Sequence, residues 1–160
     1  MEINILIDEE LEAYVDVGWL RSIAEQVLVA QGVTSNVELG LFIAGGEKVR
    51  QLNRDYLVKD EPTDVLAFSM LSTKETPGAD FSPFILPPDG IMHLGEVIIS
   101  YPQAVMQAGE HNHSVKREIT ILIIHGVLHL LGYGDEKPEL KEKMVARENE
   151  ILSHIEEAES

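Results

Sequence analysis

Apolar residues recur along this chain at two periods, and these periods predict its secondary structure. Apolar and polar residues alternate at 3–7 and 37–43, which predicts two β-strands. Compact apolar runs predict two more strands at residues 65–69 and 93–100. Helical spacing predicts five helices, at about residues 20–32, 49–56, 102–111, 114–131 and 138–158. The order β-α-β-α-β-β-α-α-α predicts one α+β (mixed α/β) domain over residues 1–160, with a small four-stranded sheet packed with about five helices.

Two segments stand apart from the regular pattern. The predicted helix 114–131 is apolar on almost every side, so we expect it to be the buried central helix. Residues 71–91 contain four prolines and two glycines, which predicts a long loop. Such a loop could gate a cleft or be an ordinary surface excursion.

Composition narrows the possible functions. No apolar run reaches the roughly 18 residues of a membrane span, so we expect a cytoplasmic protein with no membrane partner. The absence of cysteine leaves nitrogen and oxygen as the metal donors. The net charge of −16 argues against a broad nucleic-acid-binding surface. Arg54 and Lys59 nevertheless leave room for a local basic groove, and they are the candidate phosphate contacts.

The segment 125–135 carries the strongest chemical signal. His125 and His129 are four residues apart on a predicted helix, so both imidazoles lie on one face and could share one ion. Gly132 would end the helix and let the chain return with Asp135 as a third ligand. Two histidines and one carboxylate predict a catalytic divalent metal, with zinc favoured and nickel or manganese as alternatives.

The residues around the predicted metal site leave its catalytic base unassigned. Zinc peptidases place a glutamate directly after the first histidine, but that position here is Gly126. Glu118, seven residues before His125, is a candidate to orient the imidazole of His125, or it is simply a solvated acid in the first helical turn. His111 and His113 are expected to be exposed at a helix junction.

Several segments together resemble the YbeY family, bacterial rRNA maturation factors that are single-strand-specific metallo-endoribonucleases. The histidine segment is similar to the family's His-Gly-x-Leu-His-Leu-x-Gly-Tyr signature. Residues 59–68 are similar to its Lys-Asp-x-Pro-Thr-Asp-Val-Leu-Ser-Phe block, Leu52-Asn53 to its Leu-Asn pair, and residues 94–97 to its Leu-Gly-Asp-Ile strand. The resemblance implies cleavage of single-stranded RNA, maturation of the 3′ end of small-subunit (16S) rRNA and ribosome quality control, with rRNA and the small ribosomal subunit as partners.

Two positions depart from the family pattern. The family's third metal ligand is a histidine, and Asp135 stands there in this sequence. The family also carries an arginine where Leu57 stands here, so phosphate binding is in question, although Arg54 is one helical turn away. Two alternatives therefore stay open: a metal-dependent hydrolase of another class, such as an atypical metallopeptidase, and a non-catalytic ribosome-assembly factor with a structural metal.

Overall fold

A computed structural model describes residues 2–33, 36–57, 64–69, 91–133 and 137–159 of the chain. The strands are β1 (Glu2–Ile7), β2 (Val37–Ala44), β3 (Val65–Ser69) and β4 (Met92–Ser100). The helices are α1 (Val17–Ala30), α2 (Gly46–Leu57), α3 (Tyr101–Glu110), α4 (Val115–Leu130) and α5 (Pro138–Glu159). A short 3-10 helix, Glu9–Leu11, precedes α1. The fold class predicted from sequence is confirmed, while most of the predicted loop 71–91 lies outside the described residues.

The four strands form one mixed sheet in the order β1-β2-β4-β3. β1 and β4 both run parallel to β2, whereas β3 runs antiparallel to β4. Helix α1 carries the chain from the end of β1 back to the start of β2, which makes these neighbours parallel. Helix α2 leads instead to β3, which runs opposite to β4 and therefore to β2. β3, which contains the end of the family-like block 59–68, is therefore the edge strand next to β4.

Alternation along the strands divides the apolar side chains between two faces of the sheet. Leu41 and Ile43 of β2 join the larger core, which α1, α4 and α5 cover. Ala44 of β2 and Ile98 of β4 face the other way and pack in a smaller core with Val49 of α2. The larger core fixes the position of α4, which packs against β3 and β4 of the sheet and against α1, α3 and α5. Among the described residues, no helix is long and apolar enough to cross a membrane.

Helix α4 lies very close to the sheet because residue 126 is glycine. A Cβ atom at Gly126 would lie 2.5 Å from Cγ1 and 3.0 Å from Cγ2 of Val97 on β4. Valine is branched at Cβ and cannot rotate away easily, so either the helix or the strand would have to move. Gly126 therefore sets the distance between β4 and the helix that carries His125 and His129.

We expect Gly126→Ala to destabilise the protein, although alanine normally stabilises a helix by about 1 kcal/mol relative to glycine. Overpacking of this kind costs roughly 1–3 kcal/mol, so the propensity gain should not offset it fully. The measurement is chemical denaturation of both proteins under metal-free conditions.

Gly109→Ala is the matched control for this substitution. Gly109 is also helical, in α3, but a Cβ atom there would meet nothing within 4 Å. It should stabilise the protein by up to about 1 kcal/mol. If both substitutions changed the free energy of unfolding in the same direction, the close approach at Gly126 would not be the cause.

Candidate metal centre

His125 and His129 face each other one turn apart on α4. Their Nε2 atoms are 3.0 Å apart, and their rings meet edge to face with centroids 4.5 Å apart. Two nitrogens bound to one tetrahedral zinc, each about 2.0–2.1 Å from the ion, would lie about 3.3 Å apart. Both side chains are half-buried, so they are held by packing yet reachable from solvent. The structure thus brings together the two histidines that the sequence paired.

Glu148 of α5 holds the first of these rings. Its Oε1 lies 2.9 Å from Nδ1 of His125, and its side chain is 19% exposed. An ionised carboxylate only accepts hydrogen bonds, so Nδ1 of His125 carries the proton and donates it. The lone pair then sits on Nε2, which points at His129. This is the tautomer that a metal requires, and a carboxylate behind a ligating imidazole is a common arrangement in metal sites.

The end of α4 directs the chain toward the predicted third ligand. Gly132 has a φ of +99°, which favours glycine, and its N–H donates to the carbonyl of His129. The N–H of Tyr133 donates to the carbonyl of Leu128, which completes the Schellman arrangement. The Tyr133 hydroxyl in turn accepts from Nε2 of Gln31 at 3.3 Å. The predicted turn is therefore present, while Asp135 itself lies outside the described residues.

A cleft of about 320 Å³ lies next to His125. Its wall also contains Asp64, which precedes β3, together with Gln107 of α3 and Glu118 of α4. Nε2 of Gln107 donates to Asp64 at 3.2 Å and to Glu118 at 3.1 Å. This amide joins the two carboxylates and ties the start of β3 to α4. Asp64, part of the block that resembles the family, thus shares a cleft with His125.

Glu118 is buried rather than a solvated acid, and its hydrogen bonds to histidines go to His111 and His113. One carboxylate oxygen of Glu118 lies 3.1 Å from Nδ1 of His111 and 2.7 Å from Nε2 of His113. Seven residues span about 10 Å along a helix, so Glu118 shares a face with His125 without reaching it. Glu148 of α5 makes the hydrogen bond to Nδ1 of His125. His111 is exposed as expected, but the side chain of His113 is only 12% exposed.

The environment of Glu118 favours its ionised form. Burial alone would raise the pKa of this carboxyl, since its side chain is only 3% exposed. Hydrogen bonds from His113, His111 and Gln107, together with the charge of His111, outweigh burial and lower the pKa below its usual value of 4.5. A group with a lowered pKa stabilises the fold above its unfolded-state pKa, and this contribution disappears as the pH falls through the folded-state value.

We therefore expect the stability difference between the unmodified protein and Glu118→Gln to depend on pH. It should be largest near neutrality and shrink below about pH 4.5, the usual pKa of the carboxyl. Urea denaturation at a series of pH values from 7 to 3 measures it, and comparison of the two proteins cancels the other carboxylates. A difference that stayed constant over this range would contradict the lowered pKa.

The structure describes only one of the two predicted phosphate contacts. Arg54 lies in the last turn of α2, where its side chain is 49% exposed and pairs with Asp55 at 3.4 Å. Lys59 lies outside the described residues. The role of both in RNA binding stays a prediction.

Sequence reasoning missed Glu148 and Gln107, although Glu148 left a signal. It sits four residues after Met144 and three before Ile151, within the buried stripe of α5. An acid at a core-facing helical position needs a partner, and here the partner is His125.

Comparison with known proteins points to one family. The family profile described as endoribonuclease YbeY matches residues 7–156. A protein of Dehalococcoides mccartyi (strain CBDB1) named Endoribonuclease YbeY is 45% identical over 159 residues, covering 98% of this chain and 95% of its own length. A protein of the same name from Oceanobacillus iheyensis is 38% identical and covers 90% of this chain and 89% of its own length.

A solved structure shows the same fold. The solution structure of a Thermotoga maritima protein matches with a TM-score of 0.56 and 22% identity, covering 98% of this chain and 93% of its own. At that identity the likeness concerns the fold alone. The family profile and the curated relatives cover nearly the whole chain, and the chain therefore belongs to the YbeY family.

Proposed function

We propose that this protein is a metal-dependent endoribonuclease that cleaves single-stranded RNA. The observation that carries the proposal is the pair of Nε2 atoms, on His125 and His129, that face each other at 3.0 Å beside a cleft. The relatives' name, Endoribonuclease YbeY, supplies the reaction class. From the family resemblance we infer a cytoplasmic role in maturing the 3′ end of small-subunit rRNA and in ribosome quality control.

Three side chains would hold the ion. His125 and His129 supply two nitrogens, and Asp135 would supply a carboxylate oxygen. When bound, the ion would polarise a phosphoryl oxygen or lower the pKa of the attacking water or hydroxyl. Glu148 keeps the His125 ring in the ligating tautomer by accepting from Nδ1. Zinc suits this donor set best, and nickel and manganese also accept it.

Charge in the cleft constrains how RNA would bind. Asp64 and Glu118 on its wall would repel phosphates, and the net charge of the chain is −16. A positive ion at the histidines, with Arg54 and Lys59 as phosphate contacts, would offset this repulsion. Leu57 stands where the family pattern has an arginine, so phosphate binding in this chain would depend on these two cations.

The geometry disfavours the peptidase alternative. The position directly after His125 faces Val97 on the sheet, and not even a Cβ atom fits there. A glutamate in the place used by zinc peptidases could not reach the cleft. An assembly factor with a structural metal is the remaining alternative, and an assay separates it from an enzyme.

The decisive assay offers the purified, metal-loaded protein an RNA in single-stranded and fully paired form, together with a small-subunit rRNA precursor extended at its 3′ end. We expect the single strand and the precursor to be cleaved, the duplex to resist, and EDTA to stop the reaction until zinc is restored. A peptide substrate should remain intact. If the protein cleaved no RNA but its melting temperature depended on bound metal, the metal would be structural and this proposal would be wrong.

Asp135→His tests the third ligand. Histidine is the residue at this position in the family, so the variant should still bind an ion at His125 and His129, with zinc affinity equal to or higher than that of the unmodified protein. Asp135→Ala should bind zinc more weakly than either. Both affinities follow from competition with a chromophoric chelator. Loss of metal in Asp135→His would show that residue 135 is not the ligand.

A further inference from the structure

A second group of donor side chains lies where α3 passes into α4. His111 and His113 follow the end of α3, and Glu118 lies in the first turn of α4. One ligand atom from each of these residues lies within 4.8 Å of the other two. Oε1 of Glu118 is common to both short contacts, 2.7 Å to Nε2 of His113 and 3.1 Å to Nδ1 of His111.

We propose that His111, His113 and Glu118 bind a second divalent transition-metal ion. Two imidazoles and one carboxylate form a donor set that suits zinc, nickel or cobalt. The carboxylate is buried and its pKa is lowered, so it is ready as an anion without losing a proton first. His111 is 56% exposed, which gives an ion a path from solvent.

This ion would be separate from the one between His125 and His129. Glu118 and His125 are seven residues apart on α4, about 10 Å along the helix axis. Paired catalytic ions lie only about 3.5–4 Å apart, so the two sites could not form one binuclear centre. Both nevertheless contribute to the wall of the same cleft, through His111 and Glu118 on one side and His125 on the other.

Arg117 opposes the binding of an ion at this second site. Its Nη1 lies 3.2 Å from Nδ1 of His113. A guanidinium only donates, so Nδ1 accepts, and the proton of the neutral ring is on Nε2, from which it donates to Glu118. An ion on Nε2 moves that proton to Nδ1, where it faces Arg117. The Arg117 side chain is 44% exposed and pairs with Glu156, so it can turn toward solvent when the ion binds.

The test isolates the second site by removing the first. His129→Ala protein is titrated with zinc chloride by calorimetry and with cobalt chloride by visible absorption. We expect one equivalent to bind. Adding His111→Ala should weaken this binding about tenfold or more, because one of three protein ligands is lost. Adding Arg117→Gln should strengthen it, since the competing donor is gone.

His154→Ala in the same His129→Ala background is the matched control, because His154 is an exposed histidine on α5. It should leave the titration unchanged. Glu118→Gln provides a second loss-of-site variant that keeps the side-chain shape, and circular dichroism of the metal-free proteins checks folding. The proposal is overturned if His129→Ala protein binds no ion, or if its ion survives both His111→Ala and Glu118→Gln at full affinity. A wild-type protein that binds the same number of ions as His129→Ala would instead count against the His125–His129 site.

Discussion

His129→Ala should abolish metal binding at the main site and reduce RNA cleavage to background. The variant removes one of the two nitrogens that face each other at 3.0 Å. Loss of a hydrogen-bond partner behind a ligand already costs 10- to 100-fold in affinity, so loss of the ligand itself should cost about 100-fold or more. Metal analysis of protein after dialysis against a weak chelator measures this directly, and cleavage of a labelled single strand measures the consequence.

His154→Ala is the control for this experiment, since it removes an exposed histidine remote from the cleft lining. It should retain both the metal and the activity. Circular dichroism of the metal-free variants separates loss of a ligand from loss of the fold. If His129→Ala bound as many ions per chain as the unmodified protein and cleaved RNA normally, the assignment of His125 and His129 as ligands would be wrong.

The elements of the fold were predictable because their signals are local. β3 runs from Val65 to Ser69, as its apolar run predicts, and β4 begins one residue before the predicted start. A helix or strand buries one face, so its apolar residues recur at the period of that element. The short helix Glu9–Leu11 was missed, since three residues are too few to show a period.

The site was predictable only as far as its contacts are local. Spacing along one helix was enough to pair His125 with His129. Spacing made Glu118 a candidate partner of His125, with a solvated acid as the alternative, because both residues lie on one helical face, but two helical turns separate them. The actual partner, Glu148, is 23 residues farther along the chain on another helix. Only the packing of α5 on α4 brings this acid to the ring, and no local pattern encodes that distance.

The same reasoning explains the cluster around Glu118. Its partners His111 and His113 precede it by a turn between helices, where the chain direction changes and periodicity carries no information. Asn112 takes a φ of +56° at this turn. The change of direction brings both imidazoles onto the start of α4, so histidines that looked like surface residues surround a buried acid.

Glu148→Gln and Glu148→Ala should weaken metal binding in a graded way. The amide oxygen of glutamine can still accept a hydrogen bond from Nδ1 of His125, but it lacks the charge that makes the ring a better donor to a metal. Alanine removes the hydrogen bond as well and leaves the tautomer of His125 unfixed. We expect zinc affinity to fall by about tenfold in the first variant and by nearer 100-fold in the second.

Glu142→Gln is the matched control for both variants. It removes one negative charge from the same helix at an exposed position. Competition with a chromophoric chelator gives the three affinities, and melting with and without zinc should show a correspondingly smaller stabilisation by the metal in the Glu148 variants. The difference in zinc affinity between Glu148→Gln and Glu148→Ala matters more than either affinity alone. A loss of α5 packing would instead lower the free energy of unfolding of both metal-free variants. Equal affinities in Glu148→Ala and Glu142→Gln would show that the contact between Glu148 and His125 does not tune the site.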